Sequence, residues 1–199
     1  MKTLLIIGRD KIGRSILNTL KPSDELMIAI DKSTNFKRII WLIAKKRISL
    51  FLLIKMFVCE LIRKNLKSPV KDVTKIRNNS DLIHIINEFK PQRIVLFRAG
   101  LVISREVIEK GIPLMNIHCA KVPEYGGLGS IERAIKNRAL EQYATLHQVT
   151  TTIDKGEIFD LEPFYLDAQK SYCFNENTAY EAGLRLLSRT VSRQTSKPN

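Results

Sequence analysis

Short apolar runs alternate along this chain with stretches whose apolar residues recur at helical spacing. Thr3 to Ile7 reads as a strand, Gly8 as its turn and Ile12 to Leu20 as a helix; a second run, Leu26 to Ile30, ends at Asp31. Strand, turn, helix and strand in this order make a βαβ start. Ser80 or Asp81 can cap a helix through Phe89, with Leu82, Ile83, Ile85, Ile86 and Phe89 on its apolar side. Pro91-Gln92 ends that helix, and Arg93 to Phe97 reads as a buried strand. Ser104 can cap a short helix to Lys110 that Gly111 ends, and Ile112 to Ile117 is the next strand. Tyr125 to Ser130 is a glycine-rich loop and Ile131 to Lys136 a helix, followed by strands at Thr145 to Thr151 and Ile158 to Leu166, rich in β-branched and aromatic residues. Asn177 or Thr178 begins a last helix with Tyr180, Leu184, Leu187 and Val191 on one side. This alternation predicts an α/β fold with a mostly parallel sheet flanked by helices. Residues 1–192 read as one domain and 193–199 as a mobile tail.

One segment breaks the pattern. Residues 36–65 hold two apolar stretches with eight basic residues, Lys37, Arg38, Lys45, Lys46, Arg47, Lys55, Arg63 and Lys64, against Glu60 alone, a net +7 of the chain's +13. Two basic helices are the reading. Charges at Lys45 to Arg47 and at Lys55 interrupt the apolar residues, so a transmembrane span is not expected. Leu50, Leu53, Ile54, Phe57 and Leu61 fall at helical spacing and predict a face that packs against the domain or a second subunit in a homodimer. A basic amphipathic helix of this kind also suits an anionic membrane surface.

Length and composition are those of a soluble globular chain that can bury a sizeable core. The charge adds attraction to phosphates, whether of a nucleotide, a polyanionic cofactor tail, a nucleic acid or a membrane. Three cysteines, Cys59, Cys119 and Cys173, have no metal-ligand spacing, and with no signal peptide apparent the simplest reading is a reduced, cytoplasmic chain without a metal. Gly8, Gly13 and Asp31 echo a dinucleotide-binding fingerprint, but Asp10 stands where its second glycine belongs, which favours a βαβ start that binds no dinucleotide.

The residues that carry chemistry lie between Leu114 and Gly156. Asn116 and His118 are two apart, so on an extended segment both project to one face and can aim two hydrogen-bonding groups at one oxygen. The run N-I-H-C-A-K-V-P-E-Y-G-G resembles the N-x-H-x-S-x-L-P-x-Y-x-G motif of folate-dependent formyltransferases. T-L-H-Q-V-T-T-T-I-D-K-G resembles their T-x-H-x-(x)5-D-x-G at Thr145, His147, Asp154 and Gly156. Ala120, Val122 and Gly126 stand where the family commonly has Ser, Leu and Arg.

The resemblance implies a Rossmann-like formyltransferase fold with a basic helical insertion at 36–65, similar to that of relatives acting on amino sugars. It implies Asn116, His118 and Asp154 as the catalytic trio and 10-formyltetrahydrofolate as formyl donor. Arg98, Gly100, Leu101, Thr150, Thr151 and Ile153 would meet the donor, and Tyr125 and Gly127 the acceptor. Formyl transfer to an amine develops an oxyanion that needs hydrogen-bond donors and releases a proton that needs a base, which suits an amide, an imidazole and a carboxylate. The expected acceptor is a primary amine of a small molecule, such as a nucleotide-linked amino sugar, rather than a nucleic acid. A hydrolase releasing formate and a silent folate- or protein-binding member are the alternatives.

Overall fold

The structure, a computed structural model, describes residues 1–33, 40, 43–45, 48–64 and 73–192. The apolar runs become strands of one sheet: β1 (Thr3–Gly8), β2 (Leu26–Asp31), β3 (Thr74–Ile76), β4 (Arg93–Phe97), β5 (Leu114–His118), β6 (Glu141–Gln148) and β7 (Ile158–Tyr165). Their order is β3-β2-β1-β4-β5-β6-β7, parallel from β3 to β5 and antiparallel through β6 and β7. The mostly parallel α/β reading therefore stands.

β1 is buried at every position because it has a paired strand on each side and packed side chains on both faces. Alternation sends Leu5 and Ile7 into one core with Ile28, Val95 and Phe97, and Leu4 and Ile6 into the other with Ala29, Ile94 and Leu96. The first core is closed by α6 (Tyr172–Ser192) through Ala179, Ala182, Leu186 and Leu187. The second is closed by α3 (Asn79–Phe89) through Leu82, Ile85 and Ile86. Each fully buried aliphatic side chain contributes about 1.5–3 kcal/mol relative to exposure.

Several boundaries differ from expectation for identifiable reasons. α3 starts at Asn79 because Asn78 caps it, accepting the Asp81 N–H at 2.9 Å, while Asp81 reaches back to the Arg77 N–H at 2.8 Å. Ser104 precedes α4 (Arg105–Ile108), but its hydroxyl makes no capping bond and is buried without a partner among the described residues. α6 begins five residues before Asn177. Ser171 Oγ accepts the Phe174 N–H at 3.2 Å in its first turn, and Asn177 instead accepts Arg63 Nε at 3.0 Å from the helix surface. β6 covers 141–148 rather than 145–151, and β3 is an edge strand too short and polar to be seen in the pattern.

The fingerprint acids are taken up by the protein itself. Asp10 caps α1 (Lys11–Ser15), accepting the Gly13 N–H at 2.7 Å, and pairs with Arg98, whose Nε lies 2.7 Å away. Asp31 accepts the Ser33 N–H at 2.7 Å on one oxygen and the backbone N–H groups of Gly100 and Leu101 on the other.

The first basic helix expected in 36–65 lies largely outside the described residues, as does the tail 193–199. The second is α2 (Leu50–Ile62), and its orientation corrects the expectation. It turns Leu52 and Cys59 inward and leaves Leu50, Ile54, Phe57 and Leu61 exposed, so most of the face predicted to be buried is the outer one. The reduced-chain reading is corrected as well. Cys59 is disulfide-bonded to Cys173 across 114 residues, tying α2 to the first turn of α6, and Cys119 alone is free, buried in the core.

Candidate active site

β5 presents Leu114, Asn116 and His118 on one face, and the antiparallel register sets Asn116 opposite His147 and His118 opposite Thr145. The loop after β6 returns to this point. Gly156 makes that return possible, because a Cβ there would meet the Gln148 carbonyl oxygen at 2.0 Å. The close approach brings Asp154, at φ 53°, over the end of β5. Asp tolerates this left-handed conformation better than most residues.

The Asp154 carboxylate lies between two imidazoles. Oδ1 is 3.4 Å from His147 Nε2, Oδ2 is 3.7 Å from His118 Nδ1, and Oδ2 also accepts the Gly127 N–H at 2.7 Å. Burial works to raise its pKa, but the hydrogen bond from His147, the charge of His118 and the Gly127 N–H together bring it down to about 2. Asp154 is thus ionised at any physiological pH.

His118 has the opposite bias. Burial lowers its pKa below the ordinary histidine range despite the pull of Asp154, so the neutral ring is favoured near pH 7. Its Nε2 lies 3.0 Å from the Tyr125 carbonyl oxygen, which can only accept, so that nitrogen carries the proton. Nδ1 of the neutral ring then has a lone pair on the side of Asp154. Such a ring can take up a proton, and the neighbouring carboxylate stabilises the cation that forms.

Asn116 Nδ2 is 3.2 Å from His147 Nε2, and His147 Nδ1 lies 2.9 Å from the Gln148 carbonyl oxygen. Nε2 thus lies between the Asn116 amide and Asp154 Oδ1, so His147 links the two, and the amide keeps a hydrogen for a ligand. His147 is almost fully buried, and the sequence shows it only as a motif anchor, not as a member of the site. Its signal was its place on an apolar strand. Its role needed the register that sets it opposite Asn116.

Asn116, His118 and Asp154 line one cavity of about 470 Å³, together with Arg98, Gly100, Leu101, Thr150, Thr151, Ile153 and Gly127. It opens beyond the carboxyl ends of β4 and β5, where open α/β sheets commonly hold ligands. Leu96, Leu101, Ile103 and Val149 supply apolar wall, the loop backbones supply polar rim, and Met56 of α2 closes one side. The loop at 98–101 is held by Asp31 through the N–H groups of Gly100 and Leu101, and Arg98 lies with its guanidinium 3.8 Å from the Tyr180 ring centre.

Tyr125 is the exception among the expected residues. Its ring is buried in the core beneath the sheet rather than lining the cavity, and what it gives the site is the carbonyl that holds His118. A Cβ at Gly126 would meet Asp154 Cβ at 2.9 Å, so the glycine accommodates the carboxylate rather than a substrate ring. Arg133 of α5 (Ser130–Lys136) donates to the carbonyl oxygens of Gly126 and Leu128 and braces this loop; nothing in the sequence pattern pointed to it. Among the described residues no group of His, Cys, Asp and Glu could hold a metal ion.

A family model described as formyl transferase matches residues 54–172, more than half of the chain. The methionyl-tRNA formyltransferase of Sulfurihydrogenibium sp. (strain YO3AOP1) is 24% identical over 128 residues, 63% of this chain and 40% of that protein. The chain spans less than half the length of such curated relatives. The structure of phosphoribosylglycinamide formyltransferase from Streptococcus pneumoniae TIGR4 aligns with TM-score 0.64 at 17% identity, covering 98% of this chain and 100% of that one. A suggested sugar N-formyltransferase from Mycobacterium tuberculosis aligns with TM-score 0.60 at 12% identity over 94% of this chain and 67% of its own. At these identities the structural likenesses show a shared fold.

Proposed function

The chain belongs to the formyl transferase family, and on that premise we propose that it transfers a formyl group from 10-formyltetrahydrofolate to a primary amine. The observation that carries the reading is the convergence of Asn116, His118 and the ionised Asp154 on one cavity. The amide hydrogen of Asn116 not directed at His147 donates to the oxygen that gains charge as the amine adds to the formyl carbon. His118, neutral and with Nδ1 unprotonated, takes the proton released by the amine. Asp154 stabilises the resulting imidazolium and, through Gly127 and His147, keeps its own position.

The cavity suits the donor chemically: its walls are apolar, and the backbone of 98–103 and 149–154 provides the polar rim that a flat heterocycle with edge donors and acceptors needs. Asp31, by holding Gly100 and Leu101, positions one side of that rim. Residues 1–192 act in this reading as one catalytic domain with the basic insertion at 36–65.

For the acceptor we propose the amine of a nucleotide-linked amino sugar. The +13 charge favours a phosphate-bearing substrate. The N-terminus of α1, which could otherwise seat a phosphate near β1, already holds the Asp10 carboxylate. A sugar N-formyltransferase role suggested for the mycobacterial neighbour points in the same direction. The deciding experiment measures donor turnover, formate release and formyl-amine product against a panel of amines, including free and nucleotide-linked amino sugars. Formylation of the nucleotide-linked sugar well above the free sugar is the expected result. Formate release without acceptor would make the protein a hydrolase, and folate binding with neither reaction would make it a binding member of the family.

A further inference from the structure

Among the described residues, the outer face of α2 is unpartnered in a way the active site does not explain. Leu50, Phe51, Ile54, Phe57, Val58, Leu61 and Ile62 are each 44–67% exposed, and at 3.6 residues per turn they fall within an arc of about 140° on one side of the helix. Leu52 and Cys59 point the opposite way, into the protein, and Met56 reaches the active-site cavity. A contiguous apolar face of this kind on an otherwise anchored helix marks an interaction surface.

The charges around it select the partner. Glu60, the helix's only acid, is turned inward, accepting the Lys11 N–H at 2.7 Å and pairing with Arg63 at 3.5 Å. Lys45 precedes the helix and Lys64 follows it, both exposed, and Lys46 and Arg47 add to the basic run in sequence. The outer face thus shows apolar side chains with basic residues at both ends and no acid. We propose that α2 docks the protein on an anionic lipid bilayer, lying in the interface with its apolar face in the acyl boundary and the flanking lysines against the headgroups. No helix among the described residues is long and apolar enough to cross a membrane, so the contact is with a surface. A second copy fits less well, because a two-fold pairing of this face would bring the same basic flanks together. The disulfide from Cys59 to Cys173 and the Lys55–Glu132 ion pair at 3.0 Å fasten the inner side of α2 to the domain, so the helix can be loaded from outside without leaving its seat.

The test is sedimentation of the full chain with vesicles of phosphatidylglycerol and phosphatidylcholine in equal parts, and with phosphatidylcholine alone, at low and physiological salt. The expected result is binding to the anionic vesicles that weakens with salt, little binding to the neutral ones, and a loss of roughly tenfold or more in the double variant Phe57→Glu, Leu61→Glu. Both side chains point to solvent, so circular dichroism, melting temperature and donor turnover in solution should be unchanged in that variant. Lys45→Gln with Lys64→Gln should weaken anionic binding and flatten its salt dependence without touching the apolar face. No pelleting with anionic vesicles overturns the proposal, as does equal pelleting with neutral ones or an unaffected double variant. A dimer that the glutamates dissociate, with no vesicle binding, would assign the face to a second copy instead.

Discussion

Asp154 Oδ2 stands 3.7 Å from His118 Nδ1, close enough for a charge to be felt and too far for a hydrogen bond in the neutral state. The pair becomes tight only when His118 gains a proton, which is what a base and its counter-charge should do during turnover.

Removing any one of the proposed trio should therefore cost most of the turnover while the fold is retained. Asn116→Ala, His118→Ala and Asp154→Ala are each expected to lower donor turnover by about 10²–10³, equivalent to roughly 3–4 kcal/mol. Double variants should be little worse than singles, because the groups act on one event. Near-normal turnover of His118→Ala in a steady-state assay would remove the mechanism.

The pH response follows from the two opposed shifts. With its pKa lowered, His118 is neutral and able to accept a proton above that value, so kcat/KM should rise on the acid side with a midpoint below about 6.5 and then level off. Asp154→Asn removes the charge that holds the His118 pKa up, and the imidazole titration followed by NMR should move further down. A midpoint at or above the free histidine value in wild-type protein would contradict the burial argument.

Stability should show the same carboxylate at lower pH. A group depressed to about 2 when folded binds fewer protons than in the unfolded chain, so Asp154 contributes stability above the unfolded value near 3.9. That contribution, on the order of 2 kcal/mol, is lost as pH falls through about 4 to 2. Denaturant melts of wild type and Asp154→Asn should differ in acid sensitivity across that window, and parallel profiles would show the carboxylate to be unperturbed.

Gly156→Ala is expected to damage activity out of proportion to stability. Its Cβ would lie 2.0 Å from the Gln148 carbonyl oxygen, so the loop must lift and carry Asp154 away from both imidazoles. Turnover should drop at least as far as in Asp154→Ala while the melting temperature changes by only a few degrees. Wild-type turnover in this variant would mean that the loop position is not what places the carboxylate.

The disulfide makes a separate prediction. Peptide mapping without reductant should recover Cys59 joined to Cys173, and reduction or Cys59→Ser should lower stability by about 2–5 kcal/mol, because the bond closes a long loop. Recovery of both cysteines as free thiols from oxidising preparations would show that the pair is not bonded.

The sequence by itself determined the strands at the centre of the sheet, since runs such as Leu4 to Ile7 and Ile94 to Phe97 must be buried on both faces and only a covered parallel sheet buries them so. It also pointed to the proposed trio. Asn-x-His on β5 shares a face by strand alternation, and the spacing from Thr145 through His147 and Asp154 to Gly156 matched a family motif at four positions.

Tertiary structure alone decided the rest. α2 is apolar over most of its circumference, so periodicity could say which residues share a face but not which face would find a partner, and Leu52 and Cys59 won that place. Cys59 and Cys173 are neighbours only because α2 docks against α6. The exclusion of Tyr125 from the cavity depends on how a loop packs into the core, and the entry of His147 beside Asn116 on the register of β5 against β6. Local sequence carries the period of an element and the chemistry of its side chains. Which surface is covered, and which distant groups meet, is settled by packing between elements far apart in the chain.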